Sequence, residues 1–318
     1  MTGSDLLLAA ALDVVVGDPR WFPHPVRGMG RLIAWSDEQV RLICHSARSL
    51  RLAGVCLALG LPVVAYASGA FLIKQAGTAS ELLGNIVIIV LAFTTLAGRD
   101  LWDHVRAVSD ELAVGNLVGA RHAVSMIVGR DTATLTEPEI VRATVETIAE
   151  STSDGMIAPL VYLTIGGAPL ALAYKAINTL DSMIGHRDAR YVDFGWASAR
   201  FDDAANWIPA RLTAGIIVIA TGIATGRWDR AGESWRILCR DGNKHPSPNS
   251  GRPEAAMAGA LGIQLGGINH YNGVPHERPR MGDGTRRLVP DDISMAARIM
   301  VVTYVLGLSL AVVSLWLA

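Results

Sequence analysis

Between residues 146 and 211 acids, amides and bases crowd both ends of an uncharged run. Ahead of the run stand Glu146, Glu150, Ser151, Ser153 and Asp154. Behind it stand Lys175, Asn178, Asp181, Ser182, His186, Arg187 and Asp188. Glu146 and Glu150 are one helical turn apart and share a face, and Asp154 continues the column if the helix persists. Such a column is either a solvated acidic face or, ahead of the SerThrSerAspGly break, a set of oxygen ligands for magnesium. Past the run, Lys175, Asn178 and Ser182 lie near one helix face with Asp181 beside them. Asp202, Asp203 and Asn206 form a second short cluster. An acid pair with an amide can ligate a metal, orient a nucleophile or cap a helix. A third set lies in DGNKHPSPNSGRPE, residues 241–254, where Lys244 and His245 precede Ser247, Asn249, Ser250 and Gly251. Pro246 and Pro248 stiffen this loop and a helix is expected from about Pro253. Small polar residues at a helix N-terminus suit an anion such as phosphate. A structured surface turn is the alternative, and the Walker A phosphate loop is absent.

The elements that must position these residues are apolar. The 318-residue chain is 51% hydrophobic and 18% charged, with mean hydropathy +0.33. Soluble domains average about 25% charged, so partial burial in lipid is expected. A net charge of -1 gives no reason to invoke nucleic acid. Cys44, Cys56 and Cys239 are widely spaced and read as free thiols. The first residues lack a basic region and soon meet Asp13 and Asp18, so a secretory signal is not expected.

Residues 52–73 carry no charge and as a helix would span about 33 Å, enough for a bilayer core of about 30 Å. Pro62 is expected to kink them. Residues 82–97 and 299–318 are further spans, and Lys74 and Glu81 mark the turn of a helical hairpin. The run 156–174 is interrupted by Gly166-Gly167-Ala168-Pro169. It is either a kinked span or a re-entrant pair of half-helices, since irregular backbone at membrane depth must be buried or line a cavity. Most Arg and Lys fall in 20–51, 99–142 and 227–298, which should be cytoplasmic. A single crossing would send Lys175, Arg187, Arg190, Arg200 and Arg211 to the other side. The re-entrant form keeps them together and is preferred, and the same question attaches to 212–226.

Among the polar parts, residues 5–17 suggest a short apolar helix interrupted by Asp13. GDPRWFPHPVRGMGR follows as a proline-stiffened loop holding Asp18, His24, Arg27 and Arg31. It is a capped turn or a substrate-facing loop. Leu101, Val105, Val108 and Leu112 give an amphipathic helix over 99–128. Thr136-Glu137-Pro138-Glu139 is a capping box starting a helix that runs to about Glu150. Residues 266–273 form a polar loop of unassigned role, and 275–292 are expected to be a flexible cytoplasmic segment. The fold class is all-α: a polytopic integral membrane helical protein with cytoplasmic helices and polar loops, residues 1–318 forming a single membrane-embedded domain.

The segments GDPRWFPHPVRGMGR, ESTSDGMIAPL, GGAPLALAYKAINTLDSMIGHRDARYVDFGWASARFDDAANWIPARL and KHPSPNSGRPEAAMAGALG occur in this order. Together they resemble the adenosylcobinamide-phosphate synthase family of cobalamin biosynthesis, from about residue 13 to residue 295. The resemblance implies an integral membrane ligase that joins adenosylcobyric acid to aminopropanol or its phosphate through an amide bond, with ATP and magnesium. Two positions depart from the family form: Ser151 stands where Asn is usual, and Asp241-Gly242-Asn243 precedes Lys244. By analogy Glu150, Asp154, Lys175, Asn178 and Asp181 are the expected catalytic residues. Asp181, Asp202 and Asp203 are the expected metal ligands. Arg187, Lys244, His245, Ser247, Asn249 and Ser250 would meet phosphates. The implied partners are the corrinoid, aminopropanol phosphate and membrane lipid, with no nucleic acid. A homo-oligomer or an association with other cobalamin-pathway membrane enzymes is also implied. The implied setting is the cell (inner) membrane, multi-pass, with the active site facing the cytoplasm. Two other classes remain. A transporter also has broken helices with polar flanks, although here the charges flank the apolar runs. A non-catalytic scaffold or sensor has less use for so many polar motifs.

Overall fold

A computed structural model describes residues 1–317 of the chain except Arg20, Phe22, Arg187 and Asn272. In order, the helices are α1 (Gly3–Val16), α2 (Pro25–Ile43), α3 (Ala47–Ala79), α4 (Glu81–Phe93), α5 (Gly98–Ala113), α6 (Leu117–Ser125) and α7 (Glu137–Thr152). A π-helical turn, Ser153–Ile157, leads to α8 (Ala158–Ile184), α9 (Trp196–Ala205), α10 (Trp207–Thr225), α11 (Trp228–Asp241) and α12 (Gly251–Leu261). Strands β1 (Leu265–Tyr271) and β2 (Val274–Met281) precede α13 (Asp291–Leu317). The protein is thus mostly helical. Among the described residues, five stretches are long and apolar enough to cross a membrane: Ala47–Ala79, Glu81–Ala113, Glu137–Ile184, Trp207–Thr225 and Asp291–Leu317. The chain is a multi-pass membrane protein.

Contacts within the chain divide it into two compact units. One comprises Met1–Ala97, Ala158–Asn206 and Leu310–Ala318, the other Gly98–Ile157 and Trp207–Ser309.

In the first unit α3 packs on α4 and α8. Pro62 lies inside α3, which is a single helix on both sides of it, and α1 runs on as helix through Asp13. Ser80 alone makes the hairpin turn: it ends α3, and its Oγ accepts from Leu83 N at 3.0 Å to start α4. His24 is the N-cap of α2. His24 Nδ1 accepts from Val26 N at 3.3 Å, and Arg27 pairs with Asp18 at 2.7 Å.

The break in α8 falls at Gly166 and Gly167, the latter at φ 65, ψ -165. Only glycine adopts that conformation readily. The two halves fold back on each other. Tyr162 stacks on Tyr174 with ring centroids 4.8 Å apart, whereas in one straight helix these residues would sit about 18 Å apart. Gly167→Ala is therefore expected to cost about 1–3 kcal/mol, seen as a lowered melting temperature in detergent. Gly60→Ala is the control, because no atom lies within 4 Å of an added Cβ there.

In the second unit α10, α11 and α12 pack together. The small residues of α12 permit this: a Cβ on Gly259 would lie 2.7 Å from the Glu233 carbonyl of α11. Leu101, Val105, Val108 and Leu112 are buried in α5 as their spacing implies. The single helix expected over 99–128 is instead two. Gly115 turns at φ 70, and Asn116 Oδ1 caps α6 by accepting from Gly119 N at 3.1 Å. The capping box forms as read, with Glu139 Oε2 accepting from Thr136 N at 2.8 Å. The break expected at SerThrSerAspGly is a wide helical turn rather than an interruption. π-turns of this kind are frequent at functional sites.

The largest departure concerns 265–281, expected as a polar loop and a flexible segment. It is an antiparallel hairpin with Leu265 opposite Met281 and Tyr271 opposite Val274, bulged between Leu265 and Gly267. Both residues at its base, Leu265 and Met281, are fully buried. This buried foot lets a Gly- and Pro-rich segment hold strand geometry.

Candidate active site

In the second unit α7 carries a polar face toward the hairpin. Glu146 is buried, its Oε2 accepts from Arg130 Nη2, and its Oε1 accepts from Gly266 N at 2.8 Å. Arg142 donates to the carbonyls of Gly266 and Ile268 and, at 3.0 Å, to Asn269 Oδ1. Arg130 reaches the same Asn269 oxygen at 2.6 Å. At the far end of the hairpin Asp131 N donates to the His270 carbonyl at 2.8 Å, and Asp131 Oδ2 accepts from Gly273 N at 2.7 Å. Two arginines, a glutamate and an aspartate therefore staple the hairpin by its first strand and its turn.

One helical turn on, Glu150 Oε1 accepts from Ser250 Oγ at 2.9 Å. The structure thus joins two residues that the sequence placed in separate motifs. The 244–250 loop folds largely through its own groups. Ser247 Oγ accepts from Asn249 N at 3.2 Å and from Ser250 N at 3.3 Å, while Ser247 N donates to His245 Nδ1 at 3.0 Å. The backbone amides expected to meet a phosphate are engaged inside the loop. Lys244 Nζ lies 2.6 Å from Asp241 Oδ1. Asp241 is fully buried, paired also with Arg240 at 2.7 Å, and accepts from Gly282 N at 2.8 Å. Hydrogen bonds from Arg240 and Lys244 hold its carboxyl well below the usual range. This residue of the departing Asp-Gly-Asn sequence locks the loop to the hairpin.

Arg278 and Glu254 escaped the sequence reading. Arg278 of β2 places Nη1 3.0 Å from His245 Nε2 and donates to Tyr271 Oη at 3.0 Å. Burial, followed by the Arg278 charge, pushes the His245 imidazole down. Glu254, in the first turn of α12, is buried. Desolvation, then Glu146 and Glu150, raise its carboxyl well above the usual value. A first-turn acid ordinarily reads as a helix-dipole partner, so nothing local marked it as buried. Its raised folded pKa means that stability is full below the ordinary carboxyl value and is lost as pH rises toward the folded pKa. Glu254→Gln is therefore expected to flatten the alkaline limb of a detergent melting curve, the variant gaining on the wild type as pH rises above the ordinary carboxyl value.

In the first unit, α8 and α9 bring together most of the acids and amides read there. Asp202 is buried and accepts at Oδ1 from Asn206 Nδ2 at 2.9 Å and from Asn178 Nδ2 at 3.5 Å. Asn206 in turn accepts from Tyr174 Oη at 3.0 Å. Desolvation and then Asp181 push the Asp202 carboxyl up to about 7. Asp203 is turned toward Arg200, at 3.4 Å. Lys175 is half-buried on α8, Asp154 is half-buried on the π-turn of the second unit, and Arg187 lies outside the described residues. Among the described residues no three His, Cys, Asp or Glu side chains gather as a metal cage. The Asp181–Asp202 pair suits magnesium in a different way, because that ion binds one or two carboxylates together with substrate phosphates.

A multi-pass helical membrane protein with a buried aspartate beside a half-buried one in one unit and a cation-lined polar loop in the other has the make-up of a membrane-embedded group-transfer enzyme. The family model described as CobD/Cbib protein matches residues 6–300. The chain is 50% identical over 288 residues to a cobalamin biosynthesis protein CobD of Geobacter metallireducens, covering 90% of this chain and 88% of the relative. It is 47% identical over 311 residues to the CobD of Klebsiella pneumoniae subsp. pneumoniae, covering 98% and 97%. To the cobalamin biosynthesis protein CbiB of Salmonella typhimurium it is 43% identical over 305 residues, covering 96% and 95%. No solved structure matches the chain. The chain belongs to the CobD/CbiB family of cobalamin biosynthesis proteins. Its enzymatic role is that of an adenosylcobinamide-phosphate synthase.

Proposed function

We propose that the reaction is an ATP-dependent condensation: the carboxylate of adenosylcobyric acid is joined to the amine of aminopropanol or its phosphate. A carboxylate is a poor acceptor for an amine. ATP, when bound with magnesium, supplies a phosphoryl group to one carboxylate oxygen, giving an acyl phosphate and ADP. The amine nitrogen then attacks the acyl carbon, the bond from that carbon to the phosphate oxygen breaks, and inorganic phosphate leaves. The alkylammonium sheds one proton before attack and a second afterwards.

The observation that carries this reading is the Asp181–Asp202 pair. A buried carboxyl whose proton affinity is raised partly by a neighbouring carboxylate is relieved by a cation, either the magnesium that accompanies ATP or the ammonium of the acceptor. Asn178 and Asn206 fix the orientation of Asp202, and Lys175 supplies a positive charge on the same helix. In the second unit Glu150, Ser250 and His245 line the loop assigned to phosphate, while Asp154 stands on the π-turn. Lipid surrounds the apolar helices, and the polar loops face the cytoplasm of a cell bounded by the inner membrane. Self-association and contact with other cobalamin-pathway enzymes belong to the same reading.

Labelling the corrinoid carboxylate with ¹⁸O tests the chemistry. Label appearing in inorganic phosphate supports an acyl phosphate. Label appearing in AMP, or in neither product, rejects it.

A further inference from the structure

The 244–250 loop holds few free donors for the anion assigned to it. Its amides at 247, 249 and 250 donate to His245 and Ser247, and Lys244 is bound to Asp241. The other arginines of this cluster are committed as well: Arg130 to Glu146, Arg142 to carbonyl oxygens, Arg240 to Asp241. Arg278 differs. It is half-buried on β2, its hydrogen-bond neighbours are a histidine ring and a phenol, and among the described residues it forms no ion pair. A guanidinium withdrawn from water without a carboxylate partner is costly to hold, and its planar fork suits a phosphate.

The nearby acids do not fill that place. Glu146 is paired with Arg130, Glu150 is hydrogen-bonded to Ser250, and Glu254, buried in the first turn of α12, forms no ion pair with Arg278. The residual charge of Glu150 favours a phosphate that arrives with magnesium or beside a cationic group. The staples of the hairpin, Arg142, Arg130 and Asp131, engage β1 and the turn and leave Arg278 out. Arg278 is thus presented by an element whose anchoring does not depend on it.

We infer that Arg278 is a binding residue for a phosphate group of the reaction, held beside His245 by the 265–281 hairpin. This rests on the ligase reading and adds a residue to it. Two sources share the chemistry: the polyphosphate of MgATP and the phosphate of aminopropanol phosphate. Arg278→Ala and Arg278→Lys would be compared with wild type in detergent, with folding checked by melting. KM would be measured for MgATP, aminopropanol phosphate and aminopropanol, and binding of a non-hydrolysable MgATP analogue by calorimetry.

Loss of a charge-assisted pair should raise one phosphate ligand's KM by about 10- to 100-fold, with Lys restoring part of it. A rise for MgATP together with weaker analogue binding identifies the nucleotide. A rise for aminopropanol phosphate with none for aminopropanol identifies the acceptor's phosphate. Unchanged KM values and analogue affinity in folded Arg278→Ala overturn the inference. If the alanine variant does not fold, wild-type behaviour of Arg278→Lys toward every ligand overturns it equally. Absence of turnover in the wild type would count against the ligase reading instead, and the analogue affinities would still decide the role of Arg278.

Discussion

Glu146→Gln is expected to destabilise the second unit by about 3–5 kcal/mol, the range for removing one partner of a buried ion pair. The Arg130 and Glu146 side chains are only 8% and 9% exposed. The substitution would turn one acceptor oxygen into an amide donor facing Arg130 and leave that guanidinium buried without its counter-charge. Gly266 N could keep its partner at Oε1, so the hairpin should loosen from the Arg130 side first. Hydrogen exchange would show this as lost protection at 265–281 before any loss in α10 to α12. A melting temperature equal to wild type, with hairpin protection intact, would remove Glu146 from its place as the central staple.

Asp202→Asn should separate stability from activity. The carboxyl is buried beside Asp181 and its proton affinity is raised. Its ionisation therefore opposes folding increasingly as pH climbs from the ordinary carboxyl value to about 7. Asparagine removes that penalty, so the variant should melt no lower than wild type at neutral pH. Turnover should fall about a hundredfold or more, because the group that would meet magnesium or the ammonium is gone. Asp203→Asn is the comparison: the half-buried Asp203 faces the exposed Arg200 on α9, and loss of a solvent-accessible pair of this kind costs about 0–1 kcal/mol. Equal activity in Asp202→Asn and wild type would displace the acid pair from the mechanism.

What could be read from the sequence was local. The Thr136–Glu139 box is a contact within one turn, the Gly166-Gly167 break follows from backbone conformations that glycine alone tolerates, and the apolar stripe of α5 repeats at helical spacing. The acids and amides near 178–206 were visible as residue types. Their convergence on Asp202 required α9 to return against α8. The hairpin was not legible, because Gly266, Gly267, Pro275 and Pro279 have the composition of a loop. Its strands are held by buried ends and by arginines more than a hundred residues away in sequence. Glu254 and Arg278 were missed for the same reason: burial among distant partners, rather than any local pattern, defines them. Lys244, expected by analogy to meet a phosphate, is ion-paired with Asp241, a contact that local sequence did not announce.

The most direct test of the synthase mechanism is to incubate detergent-purified protein with adenosylcobyric acid, aminopropanol phosphate, ATP and magnesium, following corrinoid product and ADP together. Product and ADP formed in equal amounts, both dependent on magnesium, are the expected result. Corrinoid product formed without ATP cleavage, or ATP cleavage unaffected by the corrinoid and the amine, would contradict the mechanism.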